Sequence, residues 1–198
     1  MVEQTRTVVE GRLVRLREKR PEDVVNDYAW RTDPELAAFD ATYPLAISFK
    51  QFKAEYEFEL KNPGLNRRRF AIETLEGEHI GNCSYFNVDE VQKQAEVGIQ
   101  IGNRAYWGRG YGRDALKALL KHIFTTTDIE RVYLHTLDWN IRAQRCFAAC
   151  GFRECRRFAQ GRYRFVMMEI RRQEFFERLG AEAAANPKSD LWRQQVDS

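Results

Sequence analysis

Among the segments of this sequence, the clearest indication of a chemical function comes from a glycine-rich turn between a predicted strand and a predicted helix. Residues 96–120 read EVGIQIGNRAYWGRGYGRDALKALL. Glycine has no Cβ, so its backbone can approach a ligand closely. The first backbone N–H groups of a helix lack intrahelical acceptors and carry partial positive charge. Together these features predict a phosphate site. The turn holds three alternating glycines and two arginines: Gly108, Gly110, Gly112, Arg109 and Arg113.

The glycine spacing alone does not identify the ligand. A Walker P-loop requires Lys followed by Ser or Thr after its last glycine, and neither stands there in this sequence. The dinucleotide fingerprint GxGxxG is not met either, because the glycines alternate. A bare GxGxG also occurs in purely structural turns, so this motif by itself leaves a phosphate site and a plain connection both open.

A second motif makes the pattern more specific. About thirty residues further along, residues 134–152 read LHTLDWNIRAQRCFAACGF. Together with YWGRGYGRDAL, this segment resembles the two cofactor motifs of the GNAT N-acetyltransferase superfamily, in particular its ribosomal-protein N-terminal and spermidine acetyltransferases. The resemblance covers roughly residues 11–173, and the first predicted strand and the segment GRYRFVMMEI fit it as well.

The resemblance implies acetyl-coenzyme A as co-substrate. In that superfamily the strand before the glycine turn splays from its neighbour, and its free backbone groups pair with the pantetheine arm. Free donors and acceptors at a sheet edge suit an amide-bearing arm. The turn would hold the pyrophosphate, and Asn140 would lie near the thioester. The implied donor residues are Ile99, Gln100, Ile101, Trp107, Gly108, Arg109, Gly110, Tyr111, Gly112, Arg113, Asn140 and Phe147.

Two positions depart from the superfamily pattern. Gln or Arg often stands where this chain has Trp107, although Trp is common in the branch named above. A Tyr often stands where this chain has Phe147, and that Tyr is taken as the acid that protonates the leaving thiolate. Phe147 has no proton to give, and its place on an apolar helical stripe favours simple core packing. We therefore expect a slower enzyme or a different donor, with Tyr106, Tyr85 and Tyr163 as candidates.

The amine needs a base. An alkyl ammonium with a pKa of ~10.4 costs about 4–5 kcal/mol to deprotonate at pH 7. Glu96, at the head of the strand before the turn, is the first candidate, followed by Asp138 just after the next strand. His135 alternates along that strand and is either a proton relay or a packed histidine. The predicted catalytic residues are thus Glu96, Asp138 and Tyr106.

Direct transfer is expected, because Cys146 and Cys150 lie on an apolar helix face and make poor nucleophiles. The acceptor remains open among a polyamine, a protein N-terminus, an amino sugar and an antibiotic amine. Acidic residues in the early helices suit a cationic acceptor, or are merely solvated. They are Asp33, Glu35, Asp40, Glu55, Glu57 and Glu59. A coenzyme A-binding module with little turnover is the alternative function.

Periodicity predicts the elements that must position these residues. Strands are expected at Leu13–Arg17, Arg69–Leu75, His79–Val88, Glu96–Gly102, Arg131–Leu137, Phe152–Phe158 and Arg162–Ile170. Helices are expected from Pro21, over Phe49–Leu60, Gly110–Phe124 and Asn140–Cys150, and from Gln173. This order indicates an α+β fold, with a mixed, mostly antiparallel sheet of about seven strands flanked by about four helices. We expect an acetyltransferase domain over 1–175 and a C-terminal helix and loose tail over 176–198.

Composition excludes several classes of protein. The net charge of +3 is far from the basic footprint of a nucleic-acid binder. No apolar run approaches the ~20 residues of a membrane span, and residues 1–6 lack the apolar core of a secretion signal, so a cytoplasmic protein is expected. The four cysteines and three histidines lack metal-ligand spacing, so no metal is expected. A homodimer is expected because symmetric pairs are the commonest assembly.

Overall fold

The computed structural model describes residues 7–64 and 66–185, and within them eight strands form one sheet. The strands are β1 Thr7–Glu10, β2 Val14–Glu18, β3 Arg67–Thr74, β4 His79–Asp89, β5 Gln94–Ile101, β6 Arg131–Leu137, β7 Arg153–Gln160 and β8 Tyr163–Arg171. Their spatial order is β1-β2-β3-β4-β5-β6-β8-β7, so only the last two strands exchange places relative to the sequence.

Six α-helices lie within the same residues: α1 Val24–Thr32, α2 Pro34–Phe39, α3 Phe49–Lys61, α4 Tyr111–Thr126, α5 Ile141–Ala149 and α6 Arg172–Ala185. Local sequence explains several helix starts. The Asp33 side chain accepts two backbone N–H groups at the start of α2. Ser48 and Gln51 form a capping box that begins α3. Asn140 caps α5 by accepting the backbone N–H of Ala143.

The sheet is antiparallel at every pair except β5 with β6, which run parallel. The β5–β6 register covers three residue pairs and ends at Glu96 opposite Tyr133. Beyond that pair, β6 continues against β8 as far as Leu137, while β5 continues against β4 as far as Ile101. The two parallel strands therefore diverge, and we call the opening between them the fork.

The hydrophobic core lies between one face of the sheet and helices α4, α5 and α6. Because side chains alternate along a strand, the burial of Ala95 and Val97 in this core places Glu96 and Gln100 on the opposite face. The region around α1 and α2 covers that opposite face, where Gln100 Nε2 donates to Asp40 Oδ2 at 2.8 Å. The chemistry-bearing face of β5 is therefore the face turned away from the core.

A buried ionic network fixes the start of α1 to the sheet. Arg17 on β2 contacts Asp23 at 2.8 Å and Glu73 on β3 at 2.5 Å, and all three side chains are buried. Burial by itself raises the pKa of Asp23, but the hydrogen bond from Arg17, the charge of Lys19 and the other contacts of this carboxylate together outweigh it and hold that pKa below its ordinary value. Removal of one partner would leave a buried charge without an opposite charge, which would lower the free energy of unfolding by about 3–5 kcal/mol.

The predicted α+β sheet is confirmed, with an eighth strand and a short helix in addition. Strand β1 has four residues and α2 has six, and elements this short carry too few periods to be recognised in a sequence. Helix α6 begins at Arg172 and packs on the core through the buried Phe175, which contacts the ring of Phe124. Of the C-terminal helix and loose tail expected over 176–198, residues 186–198 lie outside the described residues, and the domain boundary at 175 stays a prediction.

Candidate active site

The C-terminal half of β5 forms one wall of the fork. Ile99, Gln100 and Ile101 pair with β4 on one side, and no β6 residue pairs with them in the described register. Backbone groups on their β6 side are therefore available to an extended ligand, as an unpaired strand edge is. The side chains of Ile99 and Ile101 pack against the core, which fixes the strand.

The glycine turn closes one end of the fork. Gly108 has φ +71° and Gly110 has φ +91°, a left-handed backbone that favours glycine. Gly110 is the N-cap of α4, and no side chain caps this helix. A Cβ on Gly108 would meet no atom within 4 Å, so the space above the turn is open. The turn thus presents uncapped N–H groups to an open space, as an anion site does.

Basic and aromatic side chains surround this turn. The ring of Trp107 donates through Nε1 to the carbonyl of Ile101 at 2.6 Å, which ties the turn to the end of β5. The guanidinium of Arg142, in the first turn of α5, lies 3.6 Å from the centre of the Trp107 ring. Phe39 contacts the same ring edge-on at 5.9 Å. The two walls of the fork are therefore joined by a cation–π stack, which the sequence analysis missed.

Asn140 and Phe147 lie on the other wall. The Asn140 side-chain oxygen accepts the N–H of Ala143 at 3.2 Å, so its amide nitrogen is the group left for a ligand. Phe147 is 8 % exposed and contacts the ring of Phe152 in the core. The structure therefore agrees with a packing role for Phe147, and its predicted contact with the acyl donor stays a prediction.

Glu96 and His135 meet where β5 and β6 diverge. His135 Nδ1 lies 2.9 Å from Glu96 Oε1, and Asn87 Nδ2 donates to Glu96 Oε2 at 3.0 Å. The His135 ring is held edge-on by Phe158 at 5.3 Å and by Tyr133 at 5.7 Å. When Nδ1–H donates to the carboxylate, Nε2 is left as a proton acceptor. Hydrogen bonds thus orient both carboxylate oxygens of Glu96. One hydrogen bond and two aromatic rings orient the imidazole of His135.

The other two predicted catalytic residues lie apart from this pair. Tyr106 follows β5, whose last residue, Ile101, is roughly 17 Å along the strand from Glu96 by a rise of about 3.3 Å per residue. Its hydroxyl donates to Glu78 at 2.5 Å, which raises the pKa of Tyr106. Asp138 follows β6, and its carboxylate lies 3.5 Å from Arg164. The structure thus places His135 in contact with Glu96, whereas Tyr106 and Asp138 contact other residues.

The alternative proton donors also lie outside the Glu96–His135 pair. Tyr85 is opposite Val97 in the β4–β5 register and is buried on the core face of the sheet, away from Glu96. Tyr163 is in the β7–β8 hairpin, where its hydroxyl accepts from Arg162 at 2.7 Å. The core face and the hairpin thus hold these two hydroxyl groups away from the carboxylate–imidazole pair.

Most of the acidic residues expected to form an acceptor wall are paired with cations. Arg104 binds both Asp33 and Glu35. Glu57 lies 3.8 Å from Lys53, and Glu59 lies beside Arg69. Such pairs contribute little net negative potential to the surface. The acidic wall that the composition of the early helices favoured is therefore largely neutralised.

Asp40 is different. It follows α2, and its carboxyl accepts a hydrogen bond from the neutral side chain of Gln100 on β5. Asp40 is exposed as a residue, yet the protein atoms around its carboxyl group raise its pKa to about 6, against a weaker opposing effect of Arg31. A carboxyl with a raised pKa and a neutral partner is suited to receive a cationic group from a ligand.

The tip of the β7–β8 hairpin lies beside the loop that follows Asp40. Arg162, at the tip of the β7–β8 hairpin, places its guanidinium 4.9 Å from the ring centre of Tyr43. Tyr43 is 72 % exposed, so this contact bridges two surface loops rather than two core elements. The loop after α2 and the β7–β8 hairpin thus approach each other on the Glu96 side of the sheet.

Neither a membrane-spanning helix nor a metal cluster occurs within residues 7–64 and 66–185. No helix in that part of the chain has the length and apolar character to cross a membrane. In the same part, no group of three or more His, Cys, Asp and Glu side chains is arranged to hold a metal ion.

The family profile of the acetyltransferase (GNAT) domain matches residues 13–153. Over 87 residues the chain is 29 % identical to spermidine N(1)-acetyltransferase of Vibrio cholerae, covering 44 % of this chain and 50 % of that protein. Over 82 residues it is 32 % identical to a probable spermine N(1)-acetyltransferase of Bacillus subtilis subsp. natto, covering 39 % and 54 %. The chain thus matches only about half the length of these curated relatives.

Solved structures share the fold over most of the chain. The spermidine N-acetyltransferase of Vibrio cholerae, in complex with CoA and spermine, superposes with a TM-score of 0.72 at 22 % identity, covering 83 % of this chain and 98 % of that one. A putative acetyltransferase from T. thermophilus superposes with a TM-score of 0.71 at 26 % identity, covering 87 % and 95 %.

Proposed function

This chain belongs to the acetyltransferase (GNAT) domain family, and from that membership and the geometry of the fork we propose that it transfers an acetyl group from acetyl-coenzyme A directly to a primary amine. One observation carries the proposal. The fork has an uncapped glycine turn at its open end, after β5, and the Glu96–His135 pair at its closed end, where the pairing of β5 with β6 stops. An anion site and a base are the two functions that acyl transfer from a coenzyme A thioester to an amine requires.

The donor side supports acetyl-coenzyme A as the co-substrate. The left-handed φ angles of Gly108 and Gly110 leave the start of α4 open to a diphosphate, with Arg109 and Arg113 nearby in sequence. The unpaired edge of β5 over Ile99–Ile101 suits an amide-bearing chain. When bound, the thioester supplies an activated acetyl group with a thiolate as leaving group.

On the acceptor side, the Glu96–His135 pair removes a proton from the ammonium or from the nitrogen that attacks the acetyl carbonyl. Glu96 accepts from His135 Nδ1 and so holds the imidazole in the tautomer whose Nε2 is basic. A base positioned in this way typically contributes 10²–10⁴-fold to the rate. The new N–C bond forms as the C–S bond breaks, and the proton taken from nitrogen balances the one gained by the thiol.

The leaving thiolate does not require a dedicated acid. With the reference thiol pKa of ~8.5, a thiolate is a tolerable leaving group at neutral pH. Phe147 cannot donate a proton, and the Tyr106 hydroxyl is committed to Glu78. We therefore assign the chain no side-chain acid, and we expect proton return from the Glu96–His135 pair or from water.

For the acceptor, Asp40 favours a small molecule with a second positive charge. Its carboxyl lies on the same side of the sheet as Glu96, held by Gln100, which is four residues along β5 from Glu96. Four residues span roughly 13 Å of strand, the length of a short polyamine. The named relatives act on spermidine or spermine, which fits this separation of charges. A polyamine is therefore the acceptor we favour among the classes that the sequence left open.

The alternative, a coenzyme A-binding module with little turnover, is kept open by one observation. Phe147 is buried in the core, so the position that often carries an acid in the superfamily has no hydroxyl group here. The expected homodimer also remains a prediction, and light scattering at several concentrations tests it.

The proposal is tested by release of free thiol from acetyl-coenzyme A in the presence of an amine panel. The panel contains polyamines, amino sugars, aminoglycosides and N-terminal peptides. In addition, 1,8-diaminooctane, whose length suits the separation of Glu96 and Asp40, is compared with octylamine, which lacks the second ammonium. We expect thiol release with polyamines, a preference for 1,8-diaminooctane over octylamine, and an acetylated product by mass spectrometry. Tight binding of coenzyme A with background thiol release for every amine would instead establish the binding module.

A further inference from the structure

Asp114 lies in the first turn of α4, four residues after the N-cap Gly110, yet its carboxylate turns away from the open side of the glycine turn. It accepts three successive backbone N–H groups, two from the connection between β1 and β2 and one from the first residue of β2. The N–H of Arg12 is 3.0 Å from Oδ1, and those of Leu13 and Val14 are 2.7 and 3.1 Å from Oδ2. These contacts join parts of the chain that are about one hundred residues apart, as the spacing of each pair shows.

The β1–β2 connection is shaped to receive this carboxylate. A Cβ on Gly11 would lie 2.3 Å from Asp114 Oδ2, so any larger residue there would displace the carboxylate. The same connection reaches the glycine turn, because Leu13 Cδ1 lies 3.6 Å from the position of a Cβ on Gly110. The turn therefore has the β1–β2 connection as a support on its protein side.

The placement of this charge has an electrostatic consequence. A carboxylate in the first turn of a helix is stabilised by the helix dipole, but it also opposes the binding of a second anion there. Three N–H donors on the far side disperse the charge of Asp114 toward the β1–β2 connection. The turn keeps its unpaired N–H groups for an external anion, and Asp114 satisfies donors that would otherwise lack acceptors.

We propose that Asp114 is a positioning residue for the acyl donor: by holding the β1–β2 connection under Gly110, it fixes the left-handed backbone on which the diphosphate binds. The inference rests on the proposed function, because it assigns a role in the same donor site. Asp114 touches neither the thioester nor the amine, so its effect is on donor affinity and not on the acetyl-transfer step.

The test compares Asp114→Asn with Gly11→Ala, two substitutions at positions distant in sequence that disturb the same contact. An amide cannot accept on both atoms, and the alanine Cβ displaces the carboxylate. We expect the Kd for coenzyme A, measured by titration calorimetry, to rise about 10- to 30-fold in each variant, in line with lost charge-assisted hydrogen bonds. The KM for acetyl-coenzyme A should rise in parallel, with kcat at saturating donor within about threefold.

Both substitutions remove the same interaction, so the double variant should bind coenzyme A no more weakly than the single variant with the larger Kd. Additive losses of binding free energy would overturn the inference. Matched controls are Asp89→Asn, whose carboxylate accepts the N–H of Gln92 in the β4–β5 turn, and Gly64→Ala, where a Cβ meets no atom within 4 Å. Both controls should bind coenzyme A as the unmodified chain does.

A measurement on the unmodified chain covers the case in which the variants do not fold. The backbone amide resonances of Leu13 and Val14 should shift when coenzyme A is added, although neither residue belongs to the proposed donor contacts. Unshifted resonances, or an unchanged Kd in folded Asp114→Asn, would overturn the positioning role while leaving donor binding intact. Absence of coenzyme A binding to the unmodified chain would overturn the proposed function, and this inference with it.

Discussion

The two ends of the fork are built in different ways. The end that we propose for the acyl donor is made mainly of backbone: the edge of β5, two left-handed glycines and the uncapped start of α4, which are adjacent in sequence. The end that we propose for the acceptor is made of side chains from separate elements: Glu96 on β5, His135 on β6, Asn87 near the end of β4 and Asp40 after α2. One strand, β5, supplies residues to both ends.

This difference predicts how each end responds to substitution. Backbone sites are disrupted by anything that changes φ angles or fills the space above a glycine, and they are insensitive to most side-chain exchanges. Side-chain sites lose function through single conservative changes such as an acid to its amide. If the two ends are independent, damage to one should leave the binding constant or turnover that belongs to the other unchanged.

The largest effect is expected for Gly110→Val. A β-branched residue at φ +91° is strained, and its side chain extends toward Leu13, whose Cδ1 lies 3.6 Å from the added Cβ, so the turn must shift and misalign the N–H groups that meet a phosphate. The sum of strain and lost hydrogen bonds, about 3 kcal/mol or more, predicts at least ~100-fold weaker binding of coenzyme A. Titration calorimetry measures the Kd for coenzyme A in this variant.

Its matched control is Gly77→Val, which has φ +94° and no atom within 4 Å of an added Cβ, but lies in the β3–β4 turn. This variant carries the same kind of backbone strain and should lose stability without losing affinity for coenzyme A. Equal affinity in Gly110→Val and the unmodified chain would remove the glycine turn from the donor site.

Next in size is Glu96→Gln. The amide no longer fixes His135 in the tautomer with a basic Nε2, so kcat should fall about 10²-fold while the Kd for coenzyme A stays constant. Steady-state kinetics with calorimetry on the same sample separates the two. Glu182→Gln, which loses only a surface pair with Lys117, is the control and should retain full kcat. A large change in coenzyme A affinity in Glu96→Gln would show that the two ends are coupled.

A smaller effect is expected for Asp40→Asn. The loss of one partly exposed charge contact, about 1 kcal/mol, predicts a roughly fivefold rise in KM for 1,8-diaminooctane. The KM for octylamine should not change, since that amine has no second charge to bind. An equal rise for both amines would mean that Asp40 shapes the acceptor end without recognising the distal ammonium.

The smallest effect concerns stability against pH. The pKa of Asp40 is raised from 3.8 to about 6, so between these values the folded state binds the proton more tightly than the unfolded state. The stability contribution of this group is then present below pH 4 and is lost as pH rises through 6. Because Asp40 is exposed as a residue, solvent screening limits the loss to less than about 1 kcal/mol.

Urea unfolding of the unmodified chain and of Asp40→Asn at a series of pH values measures this contribution. The asparagine variant should gain stability relative to the unmodified chain as pH rises from 4 to 7, because it cannot acquire the charge. Parallel stability curves for the two chains would show that the carboxyl of Asp40 titrates normally in the folded state.

Much of the fold followed from periodicity. The predicted helix Gly110–Phe124 is α4, Tyr111–Thr126, and the predicted strand Arg131–Leu137 is β6 with the same bounds. Long apolar periods made these elements recognisable. Strand β1 and helix α2 are too short for that signal, and their stability comes from pairing with β2 and from the Asp33 cap.

The strand–turn–helix geometry of the proposed donor end could be predicted because its parts are contiguous: three glycines, a following helix and a preceding strand lie within one segment. The pairing of Glu96 with His135 was open to partial prediction, since both were candidates singly. The contacts of Asp114 with Arg12, Leu13 and Val14 had no local signal, because the partners are separated by about one hundred residues.

The sequence by itself determined the backbone geometry of the proposed donor end, because φ preferences, uncapped N–H groups and hydrophobic period are properties of neighbouring residues. Tertiary structure alone decided where β5 and β6 part, which carboxylates are neutralised by arginine, and that the carboxyl of Asp40 contacts the neutral side chain of Gln100. Those outcomes depend on distances between side chains from different elements, and electrostatic and hydrogen-bond energies fall off over a few ångströms that only the packed chain defines.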